Sequence, residues 1–167
     1  MKNAGRAWLI GLISFVLGFQ PASAATSLEG GGMWSLDRSD IGTAGLIGIR
    51  LQALRPGATG SDVGLSVFAN PGGDPAWVGG TFDLGVAHGV PLETRTLFVP
   101  SLGFTLLGGV AEGGGAGRIG LVAGAGVVSL PERGVGGRLD SRLRWLFSPS
   151  ELWLAVTLGL VWPGQQP

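Results

Sequence analysis

The hydrophobic pattern is clearest near the C-terminus, in Ser150–Trp162. Every even position from Leu152 onward is large and apolar: Leu152, Leu154, Val156, Leu158, Leu160 and Trp162. The odd positions, Glu151, Trp153, Ala155, Thr157, Gly159 and Val161, are mostly small or polar. A period of two puts successive side chains on opposite faces of a β-strand. The apolar face is unbroken and ends on an aromatic. A membrane-crossing strand needs this pattern: about 9–11 tilted residues, one face in lipid, an aromatic at the interface.

The same alternation predicts seven more strands. They are Ser27–Leu36, Leu46–Leu54, Asp62–Ala69, Gly80–Ala87, Thr96–Gly109, Arg118–Leu130 and Gly137–Phe147. The expected outward residues include Leu28 and Trp34, Ile47 and Ile49, Leu65 and Val67, Phe82 and Leu84, Phe104 and Leu106, and Leu139 and Trp145. The alternation of Arg118–Leu130 is weak, and its phase stays open. Pro100 has no N–H for a ladder, so it belongs near a strand start or at a bulge. Turn chemistry separates the strands at Asp37–Asp40, Arg55–Gly60, Asn70–Pro75, Pro91–Arg95, Pro131–Gly134 and Ser148–Ser150. Val110–Gly117 reads as a glycine-rich loop. The expected fold is all-β: an eight-stranded antiparallel up-and-down transmembrane β-barrel. Closure follows from lipid, where an open sheet edge would leave N–H and C=O groups unpaired at several kcal/mol each.

Composition agrees with a membrane location. Charged residues are 13% of the chain, against about 25% in soluble domains. Mean hydropathy is +0.41. Beyond the N-terminal segment, no run reaches the ~18 consecutive apolar residues of a spanning helix. The N-terminus reads as an export signal. Lys2 and Arg6 precede an apolar run over residues 7–19, and Ala22-Ser23-Ala24 is a small-x-small cleavage site. The expected division is 1–24 cleaved Sec signal, 25–162 barrel and 163–167 a short tail. The absence of cysteine excludes disulfides and a cysteine-linked lipid anchor. Nine basic and eleven acidic residues remain after Ala24, a balance that argues against a nucleic-acid partner.

The chain resembles the small eight-stranded outer-membrane barrels of Gram-negative-type bacteria, the OmpX-like and OmpA-transmembrane-domain group. The resemblance covers about residues 25–162 and rests on the export signal, the strand count, the alternation and the aromatic end of the last strand. It implies residence in the cell outer membrane, the lipid bilayer and the barrel-assembly machinery as partners, and a monomer. It also implies that Leu158, Leu160 and Trp162 are the signal which that machinery reads. Two departures stand out: Pro163-Gly164-Gln165-Gln166-Pro167 follow the final aromatic, and the chain has no tyrosine.

Strand parity places Arg50, Asp83, Arg138, Asp140, Arg142, Arg144 and Glu151 on the lumen side. An Arg or Lys on the lipid face near the midplane would cost about 2–4 kcal/mol. A small barrel is filled by side chains and is no open pore, so these charges are expected to form a paired network. Arg142 and Arg144 are expected to pair with Glu151, Asp83 or both. The inward glycines Gly48, Gly64, Gly85 and Gly103 could leave a cavity beside the network. Asn70–Gly79, with Trp77, reads as an exposed contact surface.

Enzymatic readings are weaker. His88 is the lone histidine, and a lipid A-modifying hydrolase would need it beside Ser66 or Ser101 and Asp83. Its outward parity at a strand end points to the interface. One histidine without cysteine gives no metal constellation, and no cofactor is expected. Gly115-Ala116-Gly117-Arg118-Ile119-Gly120 matches a dinucleotide fingerprint, with Asp140 twenty residues on, but no helix follows it. The reading is a non-enzymatic integral outer-membrane barrel with a structural or surface-interaction role. The alternatives are the lipid A-modifying hydrolase and a soluble exported lipocalin-like ligand-binding barrel.

Overall fold

A computed structural model describes residues 24–37, 42–72, 76–111 and 114–162. The proposed signal segment and the tail 163–167 lie outside them, apart from Ala24, which opens the first strand. The described strands are β1 (Ala24–Ser35), β2 (Thr43–Ala53), β3 (Thr59–Asn70), β4 (Trp77–His88), β5 (Val90–Glu93), β6 (Thr96–Ala111), β7 (Gly114–Ser129), β8 (Gly136–Phe147) and β9 (Ser150–Trp162).

Pairing is antiparallel between sequence neighbours, with two exceptions that define the architecture. β1 pairs with β9, and β4 pairs with β6, so eight strands close on themselves. β5 is a short ninth strand that pairs only with β6 and prolongs the β4–β6 wall at one rim. It narrows the turn expected over Pro91–Arg95 to Thr94 and Arg95, with Pro91–Glu93 in strand. Val90 and Pro91 sit opposite Phe98 and Leu97, because β6 extends far enough past the end of β4 to pair again. Pro100 falls in the gap. The β4–β6 ladder ends at Ala87–Ser101 and pairing resumes at Val90–Phe98. The proline's missing N–H therefore costs no ladder bond on that side.

Val110–Gly117 is also corrected from loop to strand wherever it is described; residues 112–113 lie outside the described residues. Val110 and Ala111 end β6, Gly114–Gly117 open β7, and the two face each other in continuous register. Both strands run to 16 residues, although glycine weakens a strand interior.

Burial alternates along the strands as the pattern requires. β8 reads buried at every even position from Arg138 to Leu146 and exposed at every odd one from Gly137 to Phe147. In β9, Leu154, Val156 and Leu158 point outward, and Thr157 and Gly159 inward. The open phase of β7 is resolved: Gly120, Val122, Gly126 and Val128 are buried, and Ile119, Ala123 and Val127 are exposed. Large apolar side chains thus cover the outside, among them Leu65, Leu102, Phe104 and Leu158, each at least 60% exposed.

The interior has three layers. Near the rim that carries Ala24 and Trp162, an apolar cluster includes Ala25, Leu54, Leu97, Val99, Val128 and Val161. Near the opposite rim a second cluster includes Met33, Leu46, Phe68, Leu146 and Trp153, with Trp77 and Leu107 packed against it. Between the two lie the charged residues.

Candidate functional site

The charged layer is built by the inward positions of six strands. Glu29 comes from β1, Arg50 and Gln52 from β2, Asp62 from β3, Asp83 from β4, Thr105 from β6, and Arg138, Asp140, Arg142 and Arg144 from β8. All are buried, with Arg144 at 1% exposure and Asp83 at 2%. A lone buried ion costs several kcal/mol, so pairing decides whether the layer can exist.

Among the described ion pairs, Arg142–Asp62 and Arg144–Asp83 cross the barrel, and the others join residues on the same or nearby strands. Arg50 lies 2.9 Å from Asp62, 3.2 Å from Asp83 and 3.3 Å from Glu29. Arg144 donates from Nη2 and Nε to the two carboxylate oxygens of Asp83, at 2.7 and 3.3 Å. Thr105 Oγ1 donates to Asp83 at 2.7 Å. Arg142 reaches Asp62 at 3.1 Å and Asp140 at 3.2 Å, and donates to Ser101 Oγ at 3.3 Å. Arg138 meets Glu29 at 3.2 Å, pairs with Asp140 and donates to Gln52 Oε1. Ser27 Oγ completes the shell of Glu29 at 2.9 Å.

The arrangement differs from the expected one in its partners. Arg144 does pair with Asp83, but neither Arg142 nor Arg144 takes Glu151 in any described ion pair. Glu151 instead accepts from Arg118 at 2.5 Å and from Trp153 Nε1 at 3.1 Å. The reason is height. Glu151 stands opposite Leu146, whereas Arg144 stands opposite Trp153, so Glu151 lies one inward step beyond Arg144 toward the rim. Glu29, Asp62 and Arg118 belong to the interior set and were missed. Parity carried the signal for the first two: Glu29 alternates with Leu28, and Asp62 shares the face of Gly64 and Ser66. Counting Arg50, Arg118, Arg138, Arg142 and Arg144 against Glu29, Asp62, Asp83, Asp140 and Glu151 gives five charges of each sign.

The inward glycines are not a cavity; two of them seat neighbouring side chains and two close the backbones together. A Cβ at Gly64 would stand 2.7 Å from the Arg50 guanidinium, and one at Gly48 2.6 Å from Ser66 Oγ. Gly85 and Gly103 face each other so closely that a Cβ on either would meet the other's Cα at 2.7 Å. Trp77 is also corrected. It is no exposed contact in a loop, because β4 begins at Trp77 and turns it inward. Its ring meets Phe68 at 5.0 Å and Trp153 at 5.4 Å, both edge-on.

The hydrolase candidates are held apart by other partners. His88 Nδ1 lies 2.9 Å from Thr59 Oγ1 in an exposed pair at the rim. Ser101 receives Arg142, and Asp83 is taken by Arg144, Arg50 and Thr105. Leu158, Leu160 and Trp162 lie on the outward face of β9, exposed at 67, 53 and 40%.

No protein-family model matches the sequence, and no curated protein does. Solved structures do. Neisserial surface protein A superposes with a TM-score of 0.61 at 11% identity, over 83% of this chain and 94% of that one. The N-terminal β-barrel domain of Pseudomonas aeruginosa OprF gives 0.52 at 12% identity, over 83% and 97%. Ail, the attachment invasion locus protein of Yersinia pestis, gives 0.50 at 10% identity, over 84% and 97%. At such identities the likeness carries the fold. With the closed eight-strand topology and the apolar exterior, it gives this chain the fold of the small eight-stranded outer-membrane barrels.

Proposed function

We propose that this chain is a non-enzymatic integral outer-membrane barrel with a structural or surface-interaction role, and that its charged interior is a stabilising core and no pathway for solutes. One observation carries the reading: apolar side chains cover the outside, while arginine–carboxylate pairs fill the inside between two apolar layers. A soluble lipocalin-like barrel would need the reverse, with its apolar face around a ligand. A conducting pore would need water along the axis, and the interior is occupied by side chains at three successive levels. The names of two structural neighbours, a surface protein and an attachment invasion locus protein, speak for a surface role.

On this reading the N-terminal segment directs export and is removed after Ala24. The barrel-assembly machinery engages Leu158, Leu160 and Trp162, and the barrel works as a monomer in the bilayer, without cofactor. The test is membrane fractionation with sodium carbonate, together with conductance in planar bilayers. The protein is expected to resist carbonate and to show no steady unit conductance. Release into the carbonate supernatant would sink the membrane reading in favour of the soluble barrel. A stable open channel would sink the filled-core reading.

A further inference from the structure

β5 lies outside the closed barrel. It pairs with β6 alone, and β6 continues from Pro100 to Thr96 below its last β4 pair, Ala87–Ser101. Two sets of contacts hold this hairpin at the rim that carries Ala24 and Trp162. On the β3 side, Gly57 N–H donates to the Gly89 carbonyl at 2.6 Å, and Gly89 N–H to the Ala58 carbonyl at 3.0 Å. On the β7 side, Leu130 N–H donates to the Arg95 carbonyl at 2.8 Å, and Arg95 pairs with Glu132 at 2.5 Å. The hairpin is therefore a fixed projection. It stands across the barrel from the β1–β9 seam.

The outward face of the hairpin is apolar. Val90 stands opposite Phe98, Phe98 opposite Val127, Val127 opposite Leu139, and Leu139 opposite Leu158. One cross-strand row of exposed apolar side chains thus runs from β5 to the outward face of β9. Leu92 follows two residues beyond Val90, about 6–7 Å along the strand, and is 57% exposed. The Arg95–Glu132 pair at the tip of the hairpin is open to water.

We infer that β5 is an interfacial anchor, whose apolar face sits among the lipid headgroups and upper acyl chains of the leaflet at this rim. The inference rests on the membrane reading above and adds to the lipid contact an element outside the closed barrel. Continuity names the occupant: a face joined to Leu139 and Leu158 without a polar break shares their surroundings. The free edge of β5 sets the depth. Open strand edges do not occur in hydrocarbon, because their N–H and C=O groups go unpaired. Headgroups and their water satisfy such groups, so β5 belongs at the boundary. Interfacial segments bury apolar side chains over about 5–10 Å there. A partner strand is the rival occupant, and the edge is built against it. Pro91 has no N–H, a bulge separates Pro91 from Glu93, and Glu93 puts a charge on the edge. The ties at both ends of the hairpin leave little ordering cost on insertion.

The test uses the full-length mature protein in nanodiscs, with both rims accessible. The chain has no cysteine, so Leu92→Cys, Val90→Cys, Leu158→Cys and Arg133→Cys each carry a single bimane fluorophore. Arg133 is exposed in the β7–β8 turn and serves as the water reference. The quenchers are iodide, a phospholipid with a headgroup nitroxide and one with a mid-chain nitroxide. Heat-modifiable mobility verifies that every variant is folded. Labels at positions 92 and 90 are expected to be quenched more by the headgroup nitroxide than by the mid-chain one. They should also lose most of the iodide quenching seen at position 133. Iodide quenching equal to that at 133, without quenching by lipid, would overturn the inference by putting β5 in water. Shielding from all three quenchers would overturn it by putting β5 under protein, and stronger quenching from mid-chain would overturn the depth. A label at position 158 that the mid-chain nitroxide does not reach would instead sink the membrane reading itself.

Discussion

Arg144 on β8 and Asp83 on β4 face each other across the barrel and share two hydrogen bonds, at 2.7 and 3.3 Å. Asp83 also holds Arg50 and receives Thr105. Removing its carboxylate strips two buried guanidinium groups of a partner at once. Asp83→Ala is expected to cost about 3–5 kcal/mol, the range for breaking a buried pair from one side. Asp83→Asn keeps the shape and one acceptor and should cost less. Urea unfolding in liposomes measures both, and equal stability of Asp83→Ala and the parent would show that the central layer is not a stabilising core.

Gly64 provides a second test of the layer, through size instead of charge. Its missing side chain is the seat of the Arg50 guanidinium. Gly64→Val should displace that group and cost about 1–3 kcal/mol, as overpacking does. Gly137→Ala, where a Cβ meets nothing within 4 Å, should stay within about 0.5 kcal/mol. The comparison is a pair of unfolding midpoints under one condition.

Sidedness is tested on β9. Leu158 is the most exposed of its apolar residues, at 67%, and lies on the outward face. Leu158→Arg should cost about 2–4 kcal/mol if the site sits near the bilayer midplane, falling toward zero near an interface. A lack of any effect, with the variant still carbonate-resistant, would place Leu158 outside the hydrocarbon.

The last strand also carries the expected assembly signal. Trp162→Asp should lower the yield of heat-modifiable barrel in the membrane, because it puts a charge at an interfacial aromatic position. Trimming residues 163–167, which lie beyond β9, should leave the yield unchanged. Loss of assembly on trimming alone would move the signal into the tail.

A double-mutant cycle separates the two kinds of ion pair. Arg118 and Glu151 should show a coupling of about 1 kcal/mol or less, because the arginine is partly hydrated. Arg142 and Glu151 should show none, although the sequence offers Arg142 only Glu151 or Asp83 as partners; its described partners are Asp62 and Asp140.

That error marks where a sequence stops informing. Alternation decides which face each side chain takes, and Arg50, Asp83, Arg138, Asp140, Arg142, Arg144 and Glu151 are all buried. It was weak on Arg118–Leu130 because Gly120, Gly124 and Gly126 carry no polarity to alternate. Height in a closed, sheared barrel depends on the registers of all intervening strands, and parity does not contain them. Arg142 finds Asp62, 80 residues away, only because seven strand pairings and one closure bring their levels together. Trp77 was misplaced for a related reason. The composition of Asn70–Pro75 signals a loop, but nothing local tells that β3 runs to Asn70 or that β4 starts as early as Trp77.

The distribution of the inner charges has a consequence for how such a chain could be divided. β1–β4 contribute Glu29, Asp62 and Asp83 against Arg50 alone, a surplus of two negative charges. β6–β9 contribute Arg118, Arg138, Arg142 and Arg144 against Asp140 and Glu151, a surplus of two positive ones. Doubling either half would enclose four uncompensated charges in the same small volume. The two halves are therefore not electrostatically interchangeable. Expressed as separate fragments, each should prefer the other as its mate over a second copy of itself.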